Sequence, residues 1–230
     1  MVIGNCSGYA ITTGCLNVVL GSNAGCVITS GACNISIGCS AGQGITTGGS
    51  NIAIGTCTMI GAATAGSGYN VAVGSCAGKV ITTGTHNTAL GNSGTNITTG
   101  SCNITLGRSA GFGITTGGLN IAIGCGTMEG AATNASGNNV AIGSLAGKCI
   151  TTGSSNVAIG DQAGCSLTTG GNNIILGKEA TPSSVTVSNE ITLGNTEANV
   201  FRLPGLQAGA SSGHICLLYT SPSPRDTGRS

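Results

Sequence analysis

The chain has 230 residues and a formal net charge of +1, with 6% charged residues, 2% aromatic residues and 43 glycines. That balance gives no electrostatic footprint for nucleic acid or an anionic membrane, and too few aromatic and charged residues for an ordinary enzyme core. It is also too rich in β-branched residues for a disordered chain. No apolar run is long enough to span a bilayer, and no basic segment followed by an apolar one opens the chain, so neither membrane insertion nor a signal peptide is expected.

From the N-terminus onward one pattern returns: Asn, apolar, small, apolar, Gly. Met1-Val2-Ile3-Gly4 fits a copy whose Asn would precede the first residue, so the repeat is expected to be cut at its start. Full copies begin at Asn17, Asn34, Asn51, Asn70, Asn87, Asn103, Asn120, Asn139, Asn156 and Asn173. The steps between them are 17, 17, 19, 17, 16, 17, 19, 17 and 17 residues. One more step of 17 reaches Glu190, where "EITLG" keeps the pattern with Glu in place of Asn. The fuller consensus, counted from that Asn as place one, is N-[IV]-[AST]-[IL]-G-x-x-A-G-x-x-I-T-T-G-x-x. The stretch from Asn51 recurs from Asn120, 69 residues on, as duplication of four-rung blocks would give.

Each repeat reads as one rung of a stack. In Asn51-Ile-Ala-Ile-Gly55 successive residues alternate faces, so Ile52 and Ile54 are expected to fill the core while Ala53 points the other way. Val71/Val73, Ile104/Leu106, Ile121/Ile123 and Val140/Ile142 extend the same two files. Glycines at the fifth and fifteenth places are expected to corner the chain at positive φ. Ile-Thr-Thr reads as a second short strand. No rung can bury its apolar files alone, and stacking closes the core. The predicted fold is therefore all-β, a parallel β-solenoid (β-roll) of about 17-residue rungs. About eleven of them at roughly 4.8 Å each make a rod of about 50 Å. Residues 1–194 form this repeat region, 195–215 a closing strand and the start of a further C-terminal region, and 216–230 a separate tail.

Few residues offer chemistry. No rung completes G-x-G-x-x-G or G-x-x-x-x-G-K-[ST], so the glycines are read as corners and not as a phosphate cradle. The ten asparagines from Asn17 to Asn173 are expected to stack into a structural ladder, amide to amide or amide to backbone. Sequons such as Asn34-Ile-Ser36 and Asn103-Ile-Thr105 then arise as by-products of the repeat. The 12 cysteines fall at variable places, no C-x-x-C occurs, and His86 is the one histidine before His214, so no metal or redox spacing is present. The cysteines read first as small, mildly apolar filler in place of Ser or Ala, with a Cys57–Cys76 bridge between neighbouring rungs as the alternative. Glu129, Asp161, Glu179, Glu190 and Glu197 are scattered, which leaves no paired carboxylates for hydrolysis. No catalytic residue, cofactor site or metal site is predicted, and enzymatic activity is not expected.

The rungs "NIAIG", "NVAIG" and "NVAVG" with their Ser/Ala-Gly corners resemble the head repeats of trimeric autotransporter adhesins, the YadA-like haemagglutinin repeat. "ITTGSSNVAIGDQAG" (Ile150 to Gly164) is more similar still to repeat regions of phage and bacterial tail-fibre proteins that precede a C-terminal intramolecular chaperone domain. "NEITLGNTEANVFRLPGL" (Asn189 to Leu206) resembles the strand that closes such repeats. The rung here is longer than the usual adhesin head repeat, and no coiled-coil heptads are present. The resemblance implies a homotrimer of rolls packed side by side. It also implies a non-enzymatic fibre segment, either adhesin head or viral tail-fibre shaft, that contributes to attachment to cells or surfaces. Its setting would be extracellular, at an outer-membrane-anchored cell surface or on a virion tail fibre. Its partners would be itself and a host-cell or surface receptor, a glycan among the possibilities. The small third-place file (Ala53, Ala72, Ala89, Ala122, Ala141, Ala158) is expected to meet the neighbouring chain. Two other functions fit the same rungs, a purely structural spacer and a monomeric ice- or carbohydrate-surface binder.

The two longer rungs, Thr56 to Gly68 and Cys125 to Gly137, lack Ile-Thr-Thr and carry the most individual letters. Met59, Met128 and Glu129 are therefore the expected receptor-facing residues. At the far end, "CLLYTSPSPRD" (Cys216 to Asp226) resembles the translation of a sequencing-library transposon adapter, so Cys216 to Ser230 is set apart from the fold.

Overall fold

A computed structural model describes residues 1–61, 68–130 and 137–197 of the chain. The predicted boundary at 195–215 falls mostly beyond these residues, and the tail 216–230 wholly so. Within them the fold is an all-β parallel solenoid. Twelve short strands, from β1 (Val2–Ile3) and β2 (Val18–Leu20) to β11 (Ile174–Leu176) and β12 (Ile191–Leu193), lie side by side in one sheet in chain order. Every neighbouring pair is parallel and holds the register of the repeat. Ile52–Ile54 (β4) pairs residue for residue with Val71–Val73 (β5), and Ile121–Ile123 (β8) with Val140–Ile142 (β9). The two-residue insertion in each longer rung is absorbed outside the strands, so the ladder runs through it without a slip.

The faces of the strands are the reverse of the sequence expectation. The third-place residue points inward: Val19, Ala53, Ala72, Ala89, Ala122 and Ala141 are all 0% exposed. The flanking apolar pair points outward and is partly exposed, 43% at Ile104 and 40% at Ile159 in the middle of the sheet and 67% at Ile191 in the last strand. The interior is too thin for two large side chains per strand. A Cβ placed on Gly78 would lie 2.8 Å from Ile81 Cδ1 and 3.4 Å from Ala72 Cβ, so the opposite walls of one rung already touch. In most ordinary rungs the core therefore holds one large side chain, the isoleucine of Ile-Thr-Thr or Ile-Thr-Ser (Ile28, Ile45, Ile81, Ile97, Ile114, Ile150), Val19 beside Ile28 being an exception. Small residues oppose it, from the third place and from the alanine before the second glycine (Ala24, Ala41, Ala77, Ala110, Ala146). The small file thus cannot be a surface for a neighbouring chain.

Ile-Thr-Thr does not form the expected second strand. In the first of these segments the amides of Thr12, Thr13 and Gly14 all donate to one carbonyl, Thr29 O, at 3.0, 3.3 and 3.1 Å. Thr82, Thr83 and Gly84 converge in the same way on Thr98 O, at 2.9, 3.3 and 3.2 Å. Three consecutive donors on one acceptor mark a bend, which turns the preceding isoleucine into the core.

The two glycine corners also divide their work. The fifth-place glycine has the expected positive φ, 127° at Gly21 and 128° at Gly124. The fifteenth-place glycine does not take positive φ; it is required by close approach, since a Cβ on Gly31 would collide with the Gly48 carbonyl oxygen of the next rung. Gly124→Ala combines both penalties, a φ of +128° and a Cβ 2.5 Å from Gly143 O. It is expected to cost about 3 kcal/mol in urea unfolding. An unchanged midpoint would contradict the corner geometry.

Other corners are turned without glycine. The residue before each Asn sits in the left-handed region, from Leu16 at φ 58° and Tyr69 at 59° to Asn189 at 63°. The seventh place does the same at Cys57 (φ 55°), Cys76 (57°) and Leu145 (55°). Nothing in the residue types foretold this, because these places carry Leu, Cys, Ser, Tyr and His as readily as Asn.

Candidate functional site

Two features run the length of the rod: a buried polar spine and, beside it, a sheet face of apolar side chains.

The spine is the asparagine ladder. Asn34 through Asn173 are 0% exposed and Asn17 is 7% exposed. The backbone N–H of each asparagine donates to Oδ1 of the one before it, from Asn34 N to Asn17 Oδ1 at 2.9 Å to Asn173 N to Asn156 Oδ1 at 3.0 Å. From Asn51 onward Nδ2 donates to that same oxygen, as in Asn103 Nδ2 to Asn87 Oδ1 at 3.1 Å. The second Nδ2 hydrogen goes to the fifteenth-place carbonyl of its own repeat, Gly48 O for Asn34 at 2.9 Å and Gly117 O for Asn103 at 2.9 Å. Amide acceptor and donors are thus used across three rungs, in a setting where an unpaired polar group is costly. The ladder stops at Glu190, whose N–H still donates to Asn173 Oδ1 at 2.9 Å. Its carboxylate turns aside to accept from the Ser183 hydroxyl, from Thr192 Oγ1 at 2.7 Å and from Ser183 N–H at 2.9 Å. These bonds, led by the Ser183 hydroxyl, hold its pKa below the usual carboxylate value.

Among the described residues one core hydroxyl lacks what the ladder supplies. Ser36 takes the third place of β3 (Ile35–Ile37), is 0% exposed, and its Oγ has no hydrogen-bond partner. Thr105, at the same place, instead bonds Ser93 Oγ at 3.2 Å. Ser36→Ala installs the commonest residue of that place and is expected to stabilise the protein by about 1–2 kcal/mol. A fall in the thermal midpoint of that variant would show the hydroxyl to be satisfied in solution.

The apolar face is formed by the second and fourth places of every rung. In β4 to β11 it presents Ile, Val or Leu at all but one of these places, the exception being Thr88. Strand spacing and rise make this surface about 53 Å long and about 10 Å wide, roughly 530 Å². That lies near the upper limit of what a soluble monomer exposes in one contiguous patch.

The opposite side is polar. The first threonine of six bends, Thr12, Thr29, Thr82, Thr98, Thr151 and Thr168, spends its hydroxyl on the next rung, as Thr82 Oγ1 does on Thr98 O at 3.1 Å. The second threonine is exposed, in a single file through Thr13, Thr47, Thr83, Thr99, Thr116, Thr152 and Thr169. Between the two faces runs the column of left-handed residues before each Asn, all exposed, where the rings of Tyr69 and His86 stack at 4.9 Å and 12°.

Of the expected receptor-facing residues, two are placed otherwise. Met59 and Met128 are each 2% exposed and belong to the core clusters of Ile28 and Ile45 and of Ile114 respectively. Their rungs have no Ile-Thr-Thr isoleucine, and the long unbranched methionine fills that volume from the ninth place. Glu129 is partly exposed. The remainder of each long-rung loop, 62–67 and 131–136, lies outside the described residues.

Chemical groups do not converge. Among the described residues no three His, Cys, Asp or Glu side chains are placed to hold a metal ion. A depression of about 480 Å³ is lined by Glu179, Thr181, Gly194, Asn195, Thr196 and Glu197, with carboxylates on separate rungs and no histidine, cysteine or lysine among them. No helix among the described residues is long and apolar enough to cross a membrane.

Fold and face together define a class, the single-sheet parallel β-solenoid with a buried asparagine spine and a long apolar sheet face. No protein-family model, curated protein or solved structure significantly matches the chain.

Proposed function

We propose that this chain is a segment of a homotrimeric surface fibre that contributes to attachment to cells or surfaces, with the apolar strand face as the contact between chains. The observation that carries the reading is that face: two files of Ile, Val and Leu, partly exposed, continuous over the rungs. Three identical flat faces can close around one axis, which leaves no apolar edge for further growth. The threonine bends and the exposed corner column then point outward, where a receptor or glycan is met. The resemblance to adhesin-head and tail-fibre repeats accords with this arrangement and supports a setting at a cell surface or on a virion.

Light scattering on the full chain is the test, with an expected mass three times the 22.0 kDa of one chain. A stable monomer would overturn the reading and favour a surface binder acting through its exposed threonine file. Adsorption of the assembled fibre to cells or a glycan array separates an attachment segment from a spacer, which would bind neither.

A further inference from the structure

We infer that Cys57 and Cys76 form an oxidisable pair, a site at which a disulfide staples two neighbouring rungs around the first two-residue insertion. Both are free, half-buried thiols at the seventh place of consecutive rungs. They share a conformation, φ 55° and 57°, so their Cα–Cβ bonds leave the backbone in the same sense. Cys76 N–H donates to Thr56 O at 2.9 Å, which is half of the hydrogen-bond pattern of a parallel pair between residues 57 and 76. Parallel neighbours lie about 4.8 Å apart, inside the roughly 4.4–6.8 Å Cα separation that a disulfide spans.

The second block gives an independent measure of this contact. Sixty-nine residues on, the same two places hold Gly126 and Leu145, and a Cβ built on Gly126 would lie 2.7 Å from Leu145 Cδ2. Side chains at these two places therefore meet. No other two described cysteines share a place on consecutive rungs: Cys39 and Cys125 stand at the sixth, Cys26 and Cys165 at the tenth, Cys33 and Cys102 at the seventeenth. Only the first long rung can be closed in this way, because its duplicate lacks both sulfurs.

The oxidant is a low-molecular-weight disulfide such as oxidised glutathione. One thiolate attacks it, forming a mixed disulfide and releasing one glutathione thiolate. The other cysteine thiolate then attacks the protein-bound sulfur, forms the Cys57–Cys76 bond and releases the second. Two cysteine thiols lose two electrons and two protons, and one glutathione disulfide becomes two thiols. The bond closes a loop of about one rung in the unfolded chain and so favours the folded one.

The experiment titrates the full chain through glutathione buffers of rising oxidising power. After alkylation and denaturation it is cleaved following Tyr69, which separates the two cysteines, and mapped without reduction. The expected result is a Cys57–Cys76 linked peptide at a more reducing poise than any other internal disulfide, with the thermal midpoint raised by about 5 °C or more. Cys57→Ser is expected to leave Cys76 as a lasting glutathione adduct and to abolish the rise. Earlier formation of another pair, or separate adducts on both cysteines, overturns the inference. So does a rise that survives in Cys57→Ser.

Discussion

Asn103→Asp is expected to destabilise the rod by about 4–5 kcal/mol at neutral pH, and Asn103→Ala by about 3 kcal/mol. In the wild type Asn103 Oδ1 accepts from Asn120 N–H at 3.0 Å and Asn120 Nδ2 at 3.1 Å. Its Nδ2 donates to Asn87 Oδ1 at 3.1 Å and Gly117 O at 2.9 Å. Alanine removes all four bonds and leaves the Asn120 amide and the Gly117 carbonyl buried without these partners. Aspartate keeps the acceptor but sets a carboxylate oxygen against two oxygens that formerly received hydrogens, and adds a buried charge. Burial raises the pKa of such a carboxyl above its unfolded value of about 3.9. Its added penalty is therefore smallest below that unfolded value and grows as pH rises through the folded one. Urea unfolding at pH 7 and at pH 4 checks both statements. Equal stability of Asn103→Asp and wild type at pH 7 would mean that the ladder is not the spine of the fold.

The second large effect concerns the sheet face. Ile121→Asp with Ile123→Asp is expected to weaken self-association more than about 100-fold, by roughly 3 kcal/mol, while leaving the fold of the single chain in place. Both positions are partly exposed in β8, so a carboxylate there stays solvated in the monomer. In a trimer it meets its symmetry mates across a dry contact. Ala122→Asp, one residue away, is expected to do the opposite and unfold the chain, because Ala122 is 0% exposed. Thr83→Asp with Thr99→Asp, on the exposed threonine file, is expected to change neither property. Light scattering and circular dichroism on the four proteins separate the outcomes. A trimer that survives the paired isoleucine substitutions would place the contact elsewhere.

The contrast between Ala122 and its neighbours also shows how much the sequence could tell. Alternation in Asn120-Ile-Ala-Ile-Gly124 puts Ile121 and Ile123 on one face and Ala122 on the other, and the structure keeps that parity. Which face lies inside is decided by the distance to the opposite wall, and no single rung encodes that distance. Hydrophobicity favoured the isoleucines as core, yet Ile114 and its equivalents already occupy the space. The period, the parallel register and the asparagine stack were readable because each depends on recurrence alone. The bend at Thr82-Thr83 was not, since a β-branched pair is equally at home in a strand. Met59 and Met128 were misplaced for a related reason. Their rungs lack the usual isoleucine, and only the assembled core reveals that something must replace it.

The residue before each asparagine has a consequence for how such a chain can change. Its amide is held by backbone alone, Tyr69 N–H to Gly49 O at 3.2 Å and its duplicate Asn138 N–H to Gly118 O at 3.2 Å. Its side chain is exposed in every rung and supports no neighbour in the core. A substitution there that accepts the left-handed backbone, which excludes proline and disfavours β-branched residues, leaves the ladder and the packing unaltered. The two copies of a duplicated block are therefore free to drift apart within that limit, as Tyr69 and Asn138 or His86 and Ser155 have done. The rod thus carries a ruled margin, one writable position every rung at a fixed pitch, in which new lettering leaves the text beneath it intact.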